Sequence, residues 1–214
     1  MAKEGYPIIF SVLVVSFILS FSIVFVPDSY LLNGLSTLCW IVFAWVLWFF
    51  RDPERKNPNV ANSIISPADG KILEVKEIDE PYVVNGKTKV VVIFMNIFDC
   101  HVNRIPISGK VNFYKYLEGE FLAAFDDKAS DKNEQTVIGI KSEKVTVVFK
   151  QIAGLIARRI ICKVRENEEV AQGDRFGLIK FGSRVDIYLP VDTEIKVKPK
   201  QRVRAGESII GILK

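Results

Sequence analysis

The sequence predicts an N-terminal transmembrane helical hairpin followed by a mainly β domain, either a sandwich or a flattened barrel. Two observations predict this fold class. Of 29 basic and 25 acidic residues, only Lys3, Glu4 and Asp28 precede residue 51. Beyond that point, short runs rich in Val and Ile alternate with Gly, Pro, Asn and Asp. This division excludes a purely soluble single domain and a transporter with many spans.

The apolar segments 8–26 and 31–50 are each long enough to cross a hydrocarbon core of about 30 Å as a helix. Residues 27–30 supply turn-forming side chains between them. A cleaved signal peptide is disfavoured, because no small-residue cleavage site separates the two segments. We therefore expect two transmembrane helices in a membrane anchor comprising residues 1–56.

The orientation of the hairpin follows from the basic residues that flank it. Lys3 precedes the hairpin, while Arg51, Arg55 and Lys56 follow it, and the short turn contains none. Cytoplasmic flanks of membrane helices are enriched in such residues. This pattern predicts a protein of the cytoplasmic membrane whose domain 57–214 faces the cytoplasm.

In the charged domain, alternation and apolar runs predict a set of β-strands. They are expected at residues 71–76, 89–95, 144–149, 158–164, 185–189, 194–197 and 208–213. Asn85-Gly86 and Ser142-Glu143 indicate hairpin turns. The best candidate for a helix is the short segment 119–129.

Several classes of function lack the residues that they need. The chain has one histidine, and its three cysteines lie far apart, so the sequence predicts neither a metal site nor a disulfide framework. It has no P-loop and no dinucleotide-binding glycine fingerprint. Its mild positive charge suits a surface near anionic lipid better than one that binds nucleic acid.

Three short motifs carry groups that can do chemistry. They contain Asp69 in Ser-Pro-Ala-Asp-Gly, His101 in Asp-Cys-His-Val-Asn-Arg-Ile-Pro, and Ser183 in Phe-Gly-Ser-Arg-Val-Asp. Each motif alone is also typical of an ordinary turn or bend. Together they supply the carboxylate, imidazole and hydroxyl that activate a serine nucleophile. Because Gly182 offers an unhindered carbonyl, Ser183 could attack the peptide bond that precedes it.

With the hairpin and the Phe-Phe-Arg-Asp-Pro segment that follows it, these motifs resemble the short, membrane-hairpin type of phosphatidylserine decarboxylase proenzyme. The resemblance covers essentially the whole chain. It implies self-cleavage between Gly182 and Ser183 into a β chain of residues 1–182 and an α chain of residues 183–214. Ser183 would become a pyruvoyl group, the cofactor that accepts electrons when phosphatidylserine loses CO2 to give phosphatidylethanolamine.

The resemblance also implies roles for individual residues. Many family members carry a second histidine where this chain has Arg104, so a simple Asp-His-Ser triad is not established by the motif. We expect His101 to serve as acid and base in decarboxylation and to assist cleavage, with Asp69 orienting it or acting on Ser183. The expected substrate contacts are Arg104, Asn103, Phe98 and Ile97, while a structural ion pair is the alternative for Arg104.

Other functions stay open from the sequence alone. The ether lipid archaetidylserine is an alternative substrate, because its headgroup chemistry is the same. Residues 204–211 are also similar to the closing hairpin of lipoyl-like and biotinyl-like domains, which would make the chain a membrane-anchored binding module. A serine hydrolase that uses an uncut Ser183 is a third option. The expected partners are the phospholipid, the membrane and the two cleaved chains, and a homodimer is one option for the assembly.

Overall fold

A computed structural model describes residues 1–120, 122, 132–154, 159–180 and 183–214. The chain divides into two compact units, Met1–Pro53 and Glu54–Lys214. The second unit begins slightly before the boundary expected after Lys56, because Glu54 and Arg55 both form ion pairs within it.

The first unit is almost entirely helical. A short 3-10 helix, Lys3–Gly5, leads into α1 (Tyr6–Ile23), and α2 follows at Tyr30–Phe49. Both helices are long and apolar enough to cross a membrane. The two helices predicted at 8–26 and 31–50 are therefore confirmed, with ends displaced by less than one turn.

Polar side chains join α1 to α2. The hydroxyl oxygens of Ser20 and Ser36 lie 3.1 Å apart, and the indole Nε1 of Trp40 donates to Ser20 Oγ at 3.0 Å. At the open end of the hairpin, the backbone N–H of Ala2 donates to the carbonyl of Phe50 at 2.8 Å. In lipid these polar groups have no water to bond, so pairing between helices stabilises the hairpin.

The described part of the second unit is built from β-strands. These are β1 Ser63–Ile65, β2 Gly70–Glu80, β3 Gly86–Met95, β4 Val102–Arg104, β5 Gly109–Leu117, β6 Gln135–Lys141, β7 Thr146–Ala153, β8 Ile160–Cys162, β9 Glu169–Val170, β10 Arg175–Ile179, β11 Ser183–Pro190, β12 Glu194–Ile195, β13 Arg202–Val203 and β14 Ile209–Ile212.

The strands form one large antiparallel sheet and two small ones. The large sheet has the order β13-β2-β3-β11-β7-β6-β5-β9, and the small sheets have the orders β1-β14-β12 and β4-β10-β8. The prediction of a helical hairpin followed by a mainly β domain is thus confirmed. β11 lies near the middle of the large sheet, between β3 and β7.

The main hydrophobic core lies on one face of the large sheet and is closed by the two small sheets. Alternate residues of the central strands point into it, as their two-residue period requires. The core includes Val91, Ile93, Phe149, Val185 and Ile187 from the large sheet, with Ile64, Phe176 and Ile210 from the small sheets. Intervening residues form a smaller apolar cluster on the opposite face, around Val92, Val148 and Tyr188.

Both predicted hairpins are present. In the β2–β3 hairpin, Glu80 pairs with Gly86, and the buried Glu80 carboxylate accepts N–H groups from Tyr82, Val83 and Val84 at 2.9, 2.8 and 2.7 Å. In the β6–β7 turn, the N–H of Ser142 donates to Val145 at 2.9 Å. The helix expected at 119–129 lies mostly outside the described residues.

Glu80→Ala should destabilise the β unit by about 2 kcal/mol, because three hydrogen bonds to a charged acceptor are lost. Glu77→Ala is the matched control, since Glu77 is an exposed residue of the same strand. Urea unfolding of the detergent-solubilised chain, followed by circular dichroism, measures both. Equal unfolding free energies for the two variants would contradict this account of the turn.

Candidate active site

Ser183 lies where three strands of the large sheet end together. It is the first residue of β11 and pairs with Met95, the last residue of β3, on one side. On the other side it pairs with Ala153, the last residue of β7. The Ser183 side chain is fully buried, on the same face as the main core. The serine is therefore fixed by backbone pairing on both sides.

Arg184 and Asp186, which point to the opposite face of β11, also hold this strand end. Arg184 donates to both carboxylate oxygens of Asp186, at 2.6 and 3.0 Å, and both side chains are buried. Burial disfavours the charged guanidinium, but the carboxylate of Asp186 outweighs it and raises the pKa of Arg184. Arg184 therefore stays charged, and its bonds to Asp186 keep the start of β11 in place.

His101 lies at this end of the sheet for two reasons: it follows β3 closely along the chain, and the strand after it pairs with β10, the strand that precedes Ser183. Beyond Met95, the last residue of β3, a short loop leads to His101 and β4. β4 pairs with β10, the carbonyl of His101 accepts from the N–H of Ile179 at 3.4 Å, and the chain then continues towards Ser183. His101 is fully buried, and its Nδ1 lies 3.0 Å from the carbonyl oxygen of Asp99. Because a carbonyl only accepts, Nδ1 carries the proton in the neutral ring.

The loop between β3 and His101 presents an apolar side chain to the outside. The N–H of Asn96 donates to the Asp99 carboxylate at 2.9 Å, and the N–H of Phe98 donates to Asn96 Oδ1 at 2.8 Å. Arg202 forms an ion pair with the same Asp99 carboxylate. This turn leaves Phe98 61% exposed, while Ile97 is half-buried.

Asp69 lies at the same end of the sheet. The glycine that follows it begins β2, and a Cβ on Gly70 would come within 2.3 Å of the Phe94 carbonyl oxygen, so only glycine fits there. The Asp69 carboxylate accepts from Arg55 at 2.7 Å and from the N–H of Ala205 at 2.7 Å. Burial raises the pKa of Asp69, while Ala205 and Arg55 act in the opposite direction. Among the described residues, these two partners are the ones that bond the carboxylate.

A chain of buried polar groups extends beneath Ser183. The hydroxyl of Ser183 donates to the thioether sulfur of Met95 at 3.4 Å, and Asn103 Nδ2 lies 3.8 Å from the same sulfur. Gln151 Nε2 donates to Asn103 Oδ1 at 2.9 Å, and Thr136 donates to Gln151 Oε1 at 2.9 Å. These contacts connect β4, the strand that follows His101, to the strands that flank Ser183.

Arg104 lies at the end of β4 and is buried. Its NH1 donates to the carbonyl oxygen of Gly173 at 2.9 Å, which fixes one side of the guanidinium. Gly206 packs against its stem, because a Cβ there would come within 2.8 Å of Arg104 Cδ.

The structure places Asp69, His101 and Ser183 at one end of the sheet. It also joins Asp69 to Arg55 and Asn103 to Gln151, two partners that sequence analysis missed. In the sequence, Arg55 is recognisable only as a basic residue that flanks the hairpin, and Gln151 resembles any polar residue of a strand. Gly182, the other half of the expected cleavage site, lies outside the described residues. No local sequence pattern identifies Arg55 and Gln151 as partners, because each comes from a different segment from the residue that it bonds.

Other features of the unit are separate from this cluster. In the described ranges, no group of three or more His, Cys, Asp and Glu side chains could hold a metal ion. A groove of about 690 Å³ lies at the opposite end of the large sheet, lined by Ser108, Lys141 and Lys144 among others. Burial raises the pKa of the Cys162 thiol to about 12, so this thiol is protonated near neutral pH.

Comparison with known proteins identifies the family. The profile of the phosphatidylserine decarboxylase family matches residues 42–211. The chain belongs to the phosphatidylserine decarboxylase family. It is therefore an enzyme of the carboxy-lyase class.

Three relatives are each named phosphatidylserine decarboxylase proenzyme. The one from Magnetococcus marinus is 40% identical over 100% of this chain and 95% of its own length. The relative from Chlorobium phaeobacteroides is 45% identical over 88% of this chain and 87% of its own. The relative from Wolbachia pipientis is 43% identical over 99% of this chain and 90% of its own length. The similarity to phosphatidylserine decarboxylases thus spans both units.

The buried amide pair offers a test of the polar chain beneath Ser183. Asn103→Leu and Gln151→Met should each lower the unfolding free energy by about 2 kcal/mol, because each leaves a buried partner unsatisfied. The double variant should cost clearly less than the sum of the two, since neither amide is then left alone. Denaturant unfolding of the four proteins measures this coupling, and strictly additive losses would contradict the contact.

Proposed function

We propose that this protein is a phosphatidylserine decarboxylase proenzyme that cuts itself between Gly182 and Ser183. The mature enzyme then converts phosphatidylserine to phosphatidylethanolamine and CO2. The observation that carries the proposal is the position of Ser183: a buried serine at a strand start, at the end of the sheet that also holds His101 and Asp69. Membership of the family supports the substrate.

Self-cleavage begins at the hydroxyl of Ser183. Its oxygen attacks the carbonyl of Gly182 while a base removes the hydroxyl proton, and the C–N bond breaks to leave an ester. Loss of the Cα proton of Ser183 expels the Gly182 carboxylate, so the serine oxygen leaves with the upstream chain. The resulting dehydroalanine takes up water and releases ammonia, which leaves a pyruvoyl group on the chain 183–214.

The position of Ser183 fits this product. A pyruvoyl group keeps the three carbon atoms of the serine, so it needs no more room than the buried side chain already has. The only described partner of the hydroxyl is the sulfur of Met95, a weak acceptor that leaves the oxygen nucleophilic. The pyruvoyl group supplies the electron sink that natural side chains lack.

His101 is suited to move protons at the end of the sheet where Ser183 begins β11. With the proton of the neutral ring held on Nδ1 by the Asp99 carbonyl, Nε2 is the basic nitrogen. We assign His101 as the acid and base of decarboxylation and as an assistant in cleavage. We assign Asp69 to the cleavage step, as the carboxylate that supports the imidazole or Ser183.

The substrate is a two-chain lipid, and leaving the bilayer would cost about 0.8 kcal/mol per CH2 group. The exposed Phe98 is followed closely by His101, so we propose that Ile97 and Phe98 border the lipid entrance. A guanidinium suits either a phosphate or a carboxylate, and we propose that Arg104 recognises one of these groups of the substrate. Asn103 is proposed to assist there through the amide chain.

The two apolar helices fit an association with the membrane. We propose that the second unit faces the cytoplasm, on the basis of the basic residues that flank the hairpin.

Intact-mass measurement tests the proposed cleavage. The purified protein should give a C-terminal fragment of residues 183–214 whose N-terminus is blocked to Edman degradation. Ser183→Ala should remain a single full-length species without decarboxylase activity, because no nucleophile is present. Ser208→Ala is the matched control and should still be cut. A wild-type chain that remains intact, yet folded, would contradict the proposal.

His101→Gln should slow decarboxylation by at least about a hundredfold, because the proton donor is lost while the amide keeps a similar shape. Cys100→Ser, at the neighbouring buried position, should retain most activity. The assay is release of labelled CO2 from phosphatidylserine in mixed micelles. A His101→Gln protein that cuts itself and releases CO2 at the wild-type rate would remove His101 from the mechanism.

A further inference from the structure

Arg55 lies in the irregular segment that precedes β1, yet its side chain reaches the candidate active site. NH2 of Arg55 donates to Asp69 Oδ2 at 2.7 Å, and NH1 donates to Glu207 Oε2 at 3.3 Å. The side chains of Arg55 and Asp69 are only 10% and 12% exposed. This ion pair is therefore largely shielded from water. A charge interaction in such a place is stronger than one on the surface.

The second oxygen of Asp69 is held as firmly as the first. The backbone N–H of Ala205 donates to Oδ1 at 2.7 Å, so the two oxygens have separate partners on separate segments. Gly206 makes this approach possible: its φ is +79°, and a Cβ there would lie 2.8 Å from Arg104 Cδ and 3.3 Å from Arg55 Cβ. With both oxygens bonded, the carboxylate has one orientation.

Burial and charge oppose each other at Asp69. Burial raises its pKa above the ordinary value, the Ala205 N–H and Arg55 lower it, and the nearby Asp99 raises it further. Loss of Arg55 would therefore raise the pKa of Asp69 again and favour the neutral acid. The charged or titratable groups around the Arg55–Asp69 pair are Glu207 with its second partner Arg204, Asp99 with its partner Arg202, Cys100 and Arg104.

Arg55 also supplies the positive charge that a buried carboxylate needs in order to act as a base. A carboxylate without a positive neighbour would take up a proton in this environment and lose its basicity. In the part of the β unit that the structure describes, Arg55 is the cation that bonds Asp69 directly.

We propose that Arg55 is a positioning residue for self-cleavage: it keeps the Asp69 carboxylate charged and oriented at the sheet end that holds His101 and Ser183. The proposal rests on the proposed function, because it assigns Asp69 to the cleavage step. Arg55 acts through Asp69 and does not touch the reacting atoms.

Arg55→Gln tests the proposal, because it keeps a hydrogen-bonding side chain and removes the charge. The full chain is made by cell-free synthesis in detergent micelles and then moved to buffers between about pH 6 and about pH 9. Appearance of the fragment 183–214 gives the rate of cleavage. We expect Arg55→Gln to be cleaved about tenfold more slowly than the wild type near neutral pH. The acidic limb of its pH–rate profile should move to higher pH by about one unit, so that alkaline buffer restores the cleavage rate. Arg55→Lys should lie between this variant and the wild type.

Glu54→Gln is the matched control. Glu54 is the neighbouring residue, and its ion pair with Arg175 at 2.8 Å is exposed and does not involve Asp69. If this segment had only a structural role, Glu54→Gln and Arg55→Gln would slow self-cleavage alike, and neither would shift the pH–rate profile. We expect Glu54→Gln to match the wild type at every pH.

Asp69→Asn supplies the second arm of the experiment. If Arg55 acts through Asp69, adding Arg55→Gln to Asp69→Asn should not slow cleavage further. A further tenfold loss in the double variant would overturn the proposal, as would a wild-type pH profile in Arg55→Gln.

If thermal unfolding shows that Arg55→Gln does not fold, Arg55→Lys is judged by the same shift of the acidic limb. A wild-type chain that is never cut would overturn the proposed function itself, whereas a cut wild type with an insensitive Arg55 overturns only this inference.

Discussion

The pairing of β11 with β3 and β7 is the constraint on which the rest of the candidate site depends. It fixes Ser183 between Met95 and Ala153 at the point where all three strands end or begin. A one-residue slip in this register would exchange the two faces of β11 and place Arg184 where the serine is. The ion pair between Arg184 and Asp186 opposes such a slip, because it would move into the apolar core.

The same end of the sheet concentrates buried polar groups, and several of them have a partner from another segment of the chain. Asp69 bonds Arg55 and Ala205, and Asn103 bonds Gln151. An unsatisfied buried polar group costs about 1 to 3 kcal/mol, so these contacts stabilise one arrangement of the strands and disfavour others. They also keep the functional groups oriented, which a catalytic site requires before any substrate binds.

Much of the architecture could be predicted from local patterns. The two helices and the strands β2, β3, β7 and β11 have long apolar or alternating runs, and these predictions are confirmed. β4, β6 and β10 were not predicted. β4 has three residues and depends on its pairing with β10. β10 contains Gly177, which suggests a turn, although a Cβ there would come within 2.3 Å of the Ile161 carbonyl oxygen, so the glycine permits close packing.

The sequence by itself determined the division into an apolar hairpin and a mainly β unit, and the three motifs that contain Asp69, His101 and Ser183. Hydrophobic pattern and motif chemistry are local properties, so they can be recognised along the chain. Only the tertiary structure decided that Asp69 bonds Arg55 and that Asn103 bonds Gln151. These pairs join residues 14 and 48 positions apart in sequence. Which of these groups meet depends on the path of the chain and on strand order and register, which no local pattern encodes.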